Sequence, residues 1–486
     1  MSGTGAIFAT GLLERRPAQA QRQAPAASHP IVTGPIRGGR HGWPFGAYFG
    51  NISERGYIEE EYFIEGQAGG YALISGFRPD GRWTAQKSGQ TPFKTRLLVR
   101  RPRNPRRFNG TVIVEWANVS SGYEIAFADP PGLYDGFAYV SVSAQREGVH
   151  GFEVGNPRRR TADQPALGLL QWDPARYADL SIPRDSLSYD IFTQAARAIG
   201  PNRSRRGIDP MGGLRVLKLI AAGGSQSGGR LNSYINGVQP IENVFDALVP
   251  IVSAGSSAPW SDRSRTDLGN SSAPREAGFT QIRDDLRVPV FALNSETEAP
   301  YYVQVRQPDT PLFRYWEVAG ASHGGTGQMR LIREKTNRDG VTDPNSPEPR
   351  ISDVIWLPTL DAMYVHIHRW MHGGPQPPHQ PPMTITGTPA TIQRDRFGNA
   401  IGGVRLPEVE VPIASYSGAG GSTRLLGETH PFTPERLREL YPTHQAYVGR
   451  VRVAANAALA AGVILPYRAR EYIAAAEASP IPPPAH

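Results

Sequence analysis

The chain contains no cysteine, which removes disulfides, thiolate metal sites and cysteine nucleophiles from consideration and leaves the redox compartment open. No apolar run approaches the ~18 residues of a membrane-spanning helix, so no membrane span is expected. Lysine is scarce: it occurs at Lys87, Lys94, Lys218 and Lys335, and the rest of the positive charge behind a formal net charge of +8 is arginine. Such a balance can serve nucleic acid or an acidic substrate. These arginines, however, are scattered through "RRPRNPRR" (100–107), "NPRRRTAD" (156–163) and "PNRSRRG" (201–207), with no nucleic-acid module around them. The pattern predicts solvated loops and no nucleic-acid partner.

What is present is the composition of a globular, loop-rich protein: 39% hydrophobic and 20% charged residues, with 53 glycines and 45 prolines in a chain of 486. That length suits one large domain with insertions or several ordinary ones. Residues 1–30 read as a flexible leader. Their short apolar patch and Ala-Gln-Ala triplet imitate an export signal, but a basic start is missing and Arg15 and Arg16 interrupt the approach to the cleavage site. The pattern leaves compartment and oligomeric state open.

Residues 31–107 are short, turn-punctuated and β-rich, with "YIEEEYFIEG" and "TRLLVRRP" as strands. From 108 to 375 buried strands alternate with helices. The strands are Thr111 to Glu115 and then segments within 136–148, "VLKLIAAGG", 244–255, 288–296 and 312–323. Residues 185–200 form an apolar-periodic helix opened by a capping Asp185. This βαβ spacing predicts a mostly parallel sheet covered on both faces. The polar stretch 256–285 is long enough to be a lid, with Trp260 and Arg263 as candidate pocket residues. A proline-rich joint, "GGPQPPHQPP" (373–382), leads into a C-terminal extension, 376–486, which the pattern does not place in the sheet.

Chemistry concentrates at "LKLIAAGGSQSGGRLNSY" (217–234). A serine that attacks must protrude from a sharp strand-to-helix turn, and that turn tolerates only small residues two positions before and after it. Ser225 and Ser227 both satisfy the rule. Ser225 is preferred because it follows the apolar strand directly and leaves Ser227, Gly228 and Gly229 for close helix packing. Gln226 would then offer its backbone N–H to an oxyanion. Beyond the fifth of these strands comes "NSETEAPYY", and beyond the sixth comes "AGASHGG". The chain thus supplies serine, acid and histidine in the order that α/β-hydrolases use. His323 is the base. Counting from Pro289 puts the acid at Glu298, with Glu296 the alternative.

Those motifs, with "FNGTVIVEWANVSSG" (108–122) and "DRFGNAIGGVRLPEVEVPIASY" (395–416), resemble the α/β-hydrolase superfamily, and within it a bacterial family of α/β-hydrolase-domain proteins. The resemblance spans most of the chain from about residue 60. It implies an α/β-hydrolase fold with lid-like insertions, a Ser225–Glu298–His323 triad, and a second oxyanion N–H near Ala117 and Asn118. The activity it implies is serine carboxylesterase-like cleavage of a small-molecule ester through an acyl-enzyme, with no cofactor. The alternatives are acyl transfer or amide hydrolysis by the same triad, or a catalytically silent ligand-binding scaffold. A rival site, His366, His368 and His372 in "MYVHIHRWMHGG", is set aside as a metal centre. On a helix His366 and His368 point apart, and no carboxylate sits at ligand spacing.

Overall fold

The computed structural model describes residues 29–152, 168–204, 206–262, 278–342, 351–420 and 425–484. The leader up to residue 28, the whole arginine-rich 156–163 stretch and residues 263–277 of the expected lid, Arg263 among them, lie outside these residues.

One nine-stranded sheet runs through the molecule in the order β1-β2-β3-β5-β4-β6-β7-β8-β9. Its first strands, β1 (Ile31–Thr33), β2 (Tyr57–Leu73) and β3 (Ala85–Pro102), pair antiparallel. The rest, β4 (Thr111–Trp116), β5 (Ala138–Val142), β6 (Lys218–Gly224), β7 (Ala247–Ile251), β8 (Val290–Ser295) and β9 (Phe313–Val318), pair in parallel. Every residue of β4, β5, β7, β8 and β9 is buried. That is why these segments read as continuous apolar runs: crossover helices cover both faces of a parallel sheet. The predicted mostly parallel α/β-hydrolase architecture is the one observed.

The longer helices are α1 (Ser188–Ile199), α2 (Gln226–Ser233), α3 (Thr326–Arg338), α4 (Leu357–Met371), α5 (His444–Ala460) and α6 (Pro466–Ala478). On α1 only Arg197 escapes full burial, and Phe192 packs on Trp116 with ring centroids 4.7 Å apart. Asp185 does not cap this helix. It opens a short 3-10 turn ahead of it, accepts from the Arg146 amide at 3.1 Å and pairs with buried Arg230.

Two further readings are corrected. Arg100 is not in a solvated loop: it lies within β3, is 1% exposed, and pairs with Glu59 at 2.7 Å and Asp129 at 2.6 Å. The strand period hid this, because a guanidinium is buried only when partners from distant segments neutralise it. Trp260 is no pocket residue either. It is buried among Tyr71, Trp83 and Tyr189.

The extension beyond residue 376 crosses the outer edge of β9. Pro378 O accepts from Trp316 Nε1 at 3.0 Å, and Val404 forms a parallel bridge to Val318. It continues through two small antiparallel ladders, β10 (Ile385–Thr386) with β11 (Thr391–Ile392) and β12 (Ala414–Ser417) with β13 (Glu428–Pro431), into α5 and α6.

The sheet register aligns the strand ends that matter. Gly224 lies opposite Ile251, Ile251 opposite Leu293, and Leu293 opposite Trp316. The carboxyl ends of β6, β8 and β9 therefore finish at one rim, the edge where open α/β sheets gather their ligand-binding loops.

Candidate active site

Ser225 follows β6 immediately and has φ 59° and ψ −120°, a conformation that costs a non-glycine residue of the order of 1–3 kcal/mol. Its surroundings hold it there. The Ser225 amide donates to Ile251 O at 2.9 Å, and its carbonyl accepts from Gly229 N at 3.0 Å. A Cβ at Gly223 would come within 2.8 Å of Ser227 O, and one at Gly228 within 2.8 Å of Ile251 O. The glycines at 223 and 228 are thus required by backbone approaching backbone.

Ser225 Oγ lies 2.8 Å from His323 Nε2, and His323 Nδ1 lies 2.7 Å from Glu298 Oε1. A carboxylate only accepts, so Nδ1 carries the proton and Nε2 is free to accept from the serine hydroxyl. The other Glu298 oxygen accepts from Ser295 N at 3.0 Å and Ser295 Oγ at 2.5 Å. His323 is fixed through its own amide, which donates to Thr297 Oγ1 at 2.9 Å.

Ser227 and Glu296 sit elsewhere. Ser227 is fully buried; its Oγ donates to Gly224 O at 2.9 Å and accepts from Gly224 N at 3.1 Å, closing the turn. Glu296 is also fully buried, accepting from Gly320 N at 2.6 Å and Gly418 N at 3.1 Å and pairing with Arg394 at 2.5 Å. It ties the acid loop, the histidine loop and the extension together and makes no contact with His323.

Gln226 is the first residue of α2, so its amide has no acceptor within the helix and is placed beside Ser225. Asn118 is not available in the same way. Its amide donates to Ile125 O at 3.1 Å, and its side chain donates to Gly224 O at 2.9 Å. It stitches the loop after β4 to the turn that carries Ser225. A second stitch joins Gln145 and Gln226, whose amides bond reciprocally at 3.0 and 2.5 Å, with Gln145 also donating to Ala117 O at 3.2 Å.

No local pattern singles out Gln145, Ser295 or Thr297. Ser295 and Thr297 do stand within three residues ahead of Glu298 in "NSETEA", and short hydroxyls there have nearby backbone and carboxylate to bond.

Ser225, His323 and Glu298 border a cavity of about 820 Å³, within the usual range for small-molecule sites. Its walls include Phe127, Val252 and Tyr301, and Leu425 and Leu426 from the extension. Tyr302, paired with Tyr301 in the sequence, is buried and stacked on Tyr315 at 4.3 Å.

On the histidine-rich helix the His368 and His372 rings lie 4.7 Å apart, while His366 turns to a different partner. His366 Nε2 lies 2.8 Å from Gly462 O, and His368 Nδ1 lies 2.7 Å from Thr111 Oγ1. Among the described residues, no group of three or more His, Cys, Asp or Glu side chains is arranged to hold a metal ion, and no helix is long and apolar enough to cross a membrane. Beneath the site, Glu115 accepts from Phe127 N at 2.5 Å and Tyr139 OH at 2.5 Å, and burial pushes its carboxyl up to about 7.

A family profile described as an alpha/beta hydrolase domain matches residues 32–474. No curated protein matches the sequence. Among solved structures, a prolyl endopeptidase is 13% identical over 59% of this chain with a TM-score of 0.26, and the match spans only 38% of that protein. An acetyl xylan esterase from Paenibacillus sp. R4 is 12% identical over 57% of this chain and 84% of its own, with a TM-score of 0.27. Acetyl xylan esterase 1 from Thermoanaerobacterium sp. is 12% identical over 51% of this chain and 80% of its own, with a TM-score of 0.25.

Proposed function

The chain belongs to the alpha/beta hydrolase domain family, and on that footing we propose that it is a serine carboxylesterase with Ser225 as nucleophile, His323 as general base and Glu298 as the orienting acid. The observation that carries this reading is the unbroken relay of 2.8 and 2.7 Å from Ser225 through His323 to Glu298 at the wall of a substrate-sized cavity.

In this reading His323 Nε2 takes the hydroxyl proton as Ser225 Oγ bonds to the ester carbonyl carbon. The carbonyl π electrons move onto oxygen. Glu298 stabilises the resulting imidazolium without taking its proton. The Gln226 amide receives the oxyanion, and one such donor is worth roughly 3 kcal/mol of barrier. The intermediate collapses as the ester C–O bond breaks, and His323 hands its proton to the leaving alkoxide. Water, deprotonated by the same imidazole, then cleaves the acyl-serine.

The test is a neutral alkyl phosphonate carrying a reporter. The wild-type protein should be labelled on Ser225 and hydrolyse p-nitrophenyl esters, while Ser225→Ala does neither at an unchanged melting temperature. Labelling that persists in Ser225→Ala removes the reading.

A further inference from the structure

Buried polar groups almost always have hydrogen-bond partners, and one in the wall of the cavity at Ser225 does not. Gln328 is 3% exposed, and its Oε1 receives no donor among the described residues. It lines both this cavity and a neighbouring recess of about 40 Å³. The buried residues of α3 are Gln328 and Thr336, both polar and both in the cavity wall, whereas a helix packed for stability alone buries apolar side chains. Gln328 is also held in place. It stands in the first turn of α3, five residues beyond His323, where Met329 N donates to Gly325 O and Thr326 N to Ser352 O, each at 2.9 Å.

The polar side chains around it are already engaged. Thr336 Oγ1 donates to Arg333 O at 3.3 Å and accepts from Thr342 Oγ1 at 2.9 Å. In the recess Lys335 pairs with Asp129 at 2.7 Å, Arg338 with Asp339 at 2.8 Å, and Arg96 with Glu124. Both oxygens of Glu298 accept, from His323 and from Ser295. Each carboxylate near Gln328 thus has its own partner, and an ammonium entering here would lose its hydration with no spare negative charge to offset the loss. What Gln328 lacks is a neutral donor. A hydroxyl is the smallest such group, and because it both donates and accepts it answers either end of the carboxamide. The rest of the wall agrees, with neutral hydroxyls at Ser121, Ser253 and Ser256.

We propose that the substrate is an ester carrying a free hydroxyl, with Gln328 as the residue that selects it. This rests on the reading of Ser225 as nucleophile. The hydroxyl can belong to the acid or the alcohol half of the ester, and the two arms of the test distinguish these.

Each comparison replaces a hydroxyl by a methyl group of similar size. In the acid arm p-nitrophenyl 3-hydroxybutyrate is set against the isovalerate, and p-nitrophenyl 6-hydroxyhexanoate against the heptanoate. In the alcohol arm 2-hydroxyethyl butyrate is set against propyl butyrate, and 6-hydroxyhexyl butyrate against heptyl butyrate. In at least one pair the hydroxylated ester should have the higher kcat/KM by about tenfold, the worth of one well-placed neutral hydrogen bond. Gln328→Met, close in shape and without a carboxamide, should remove that preference, while Gln328→Glu, which keeps an acceptor, should retain part of it. Labelling of each variant by the neutral phosphonate shows that the fold and Ser225 are intact. Turnover with no hydroxyl preference in any pair, the result if solvent alone pairs the amide, overturns the proposal while leaving the esterase reading standing, as does a preference that survives Gln328→Met. Absence of labelling in the wild-type protein overturns the esterase reading itself.

Discussion

Replacing Glu298 by glutamine tests the relay at the point where the structure dictates the outcome. Glu298 Oε2 receives two donors, Ser295 N and Ser295 Oγ, so the amide oxygen of a glutamine must take that side and its NH₂ must face His323 Nδ1. An amide nitrogen cannot accept. His323 is then forced into the tautomer with its proton on Nε2, where it faces Ser225 Oγ with no lone pair to receive the hydroxyl proton. An inverted tautomer of this kind lowers kcat by about 10⁴, equivalent to about 5 kcal/mol of barrier. Volume and burial barely change, so the melting temperature should stay near wild type. Glu296→Gln should do the reverse. It leaves Arg394 without its carboxylate at a fully buried position, costing about 3 kcal/mol, the low end of the range for a broken buried pair, because the Arg394 side chain is 30% exposed. Turnover per folded molecule should remain within a few-fold of wild type. The assay is p-nitrophenyl ester hydrolysis normalised to sites titrated by phosphonate, run beside thermal unfolding. If Glu296→Gln abolishes turnover per titrated site while Glu298→Gln leaves it intact, the acid is misassigned and the tautomer argument is refuted.

Two further outcomes follow from the same geometry. Ser227→Ala removes the hydroxyl that bonds both polar groups of Gly224; it should lower stability by about 1–2 kcal/mol in urea unfolding and leave phosphonate labelling of Ser225 in place. Stability should also fall as pH rises from about 5 to about 8. Burial pushes the carboxyls of Glu115 and Asp361 up to about 7, so the folded state binds their protons more tightly than the unfolded chain does. Their stabilisation is full below the unfolded value near 4.5 for glutamate and is lost as pH passes the folded value, about 3 kcal/mol for Glu115. Glu115→Gln, which keeps a hydrogen-bonding side chain of the same shape, should flatten the urea-midpoint profile across this window. A profile as steep as wild type counts against the assignment.

How much of this was legible in the sequence depends on how local each signal is. The parallel strands could be read because burial on both faces leaves them uniformly apolar, and the elbow could be read because strained backbone demands small neighbours at fixed offsets. The order of serine, acid and histidine could be read because each stands just beyond a strand, and strands in register bring their ends together. The positions that went astray depend on contacts between distant segments. Arg100 looked like part of a solvated loop until Glu59 and Asp129 approached it from elsewhere in the chain. Asn118 stood at the expected distance past its strand, but its amide belongs to Ile125.

Glu296 and Glu298 show where that boundary runs. Two carboxylates two residues apart have the same composition, charge and local pattern, and strand counting alone favours one over the other. What separates them physically comes in part from a segment more than ninety residues further on. Arg394 and the amide of Gly418 claim one oxygen of Glu296, and the amide of Gly320 claims the other, so it does not also orient the imidazole. The C-terminal extension thereby leaves Glu298 as the carboxylate within reach of His323, while Gly418 O accepts from Thr297 Oγ1, the same hydroxyl that receives the His323 amide. A segment that carries none of the three proposed reacting residues thus braces the loop that carries Glu298 and, through Thr297, the backbone of His323.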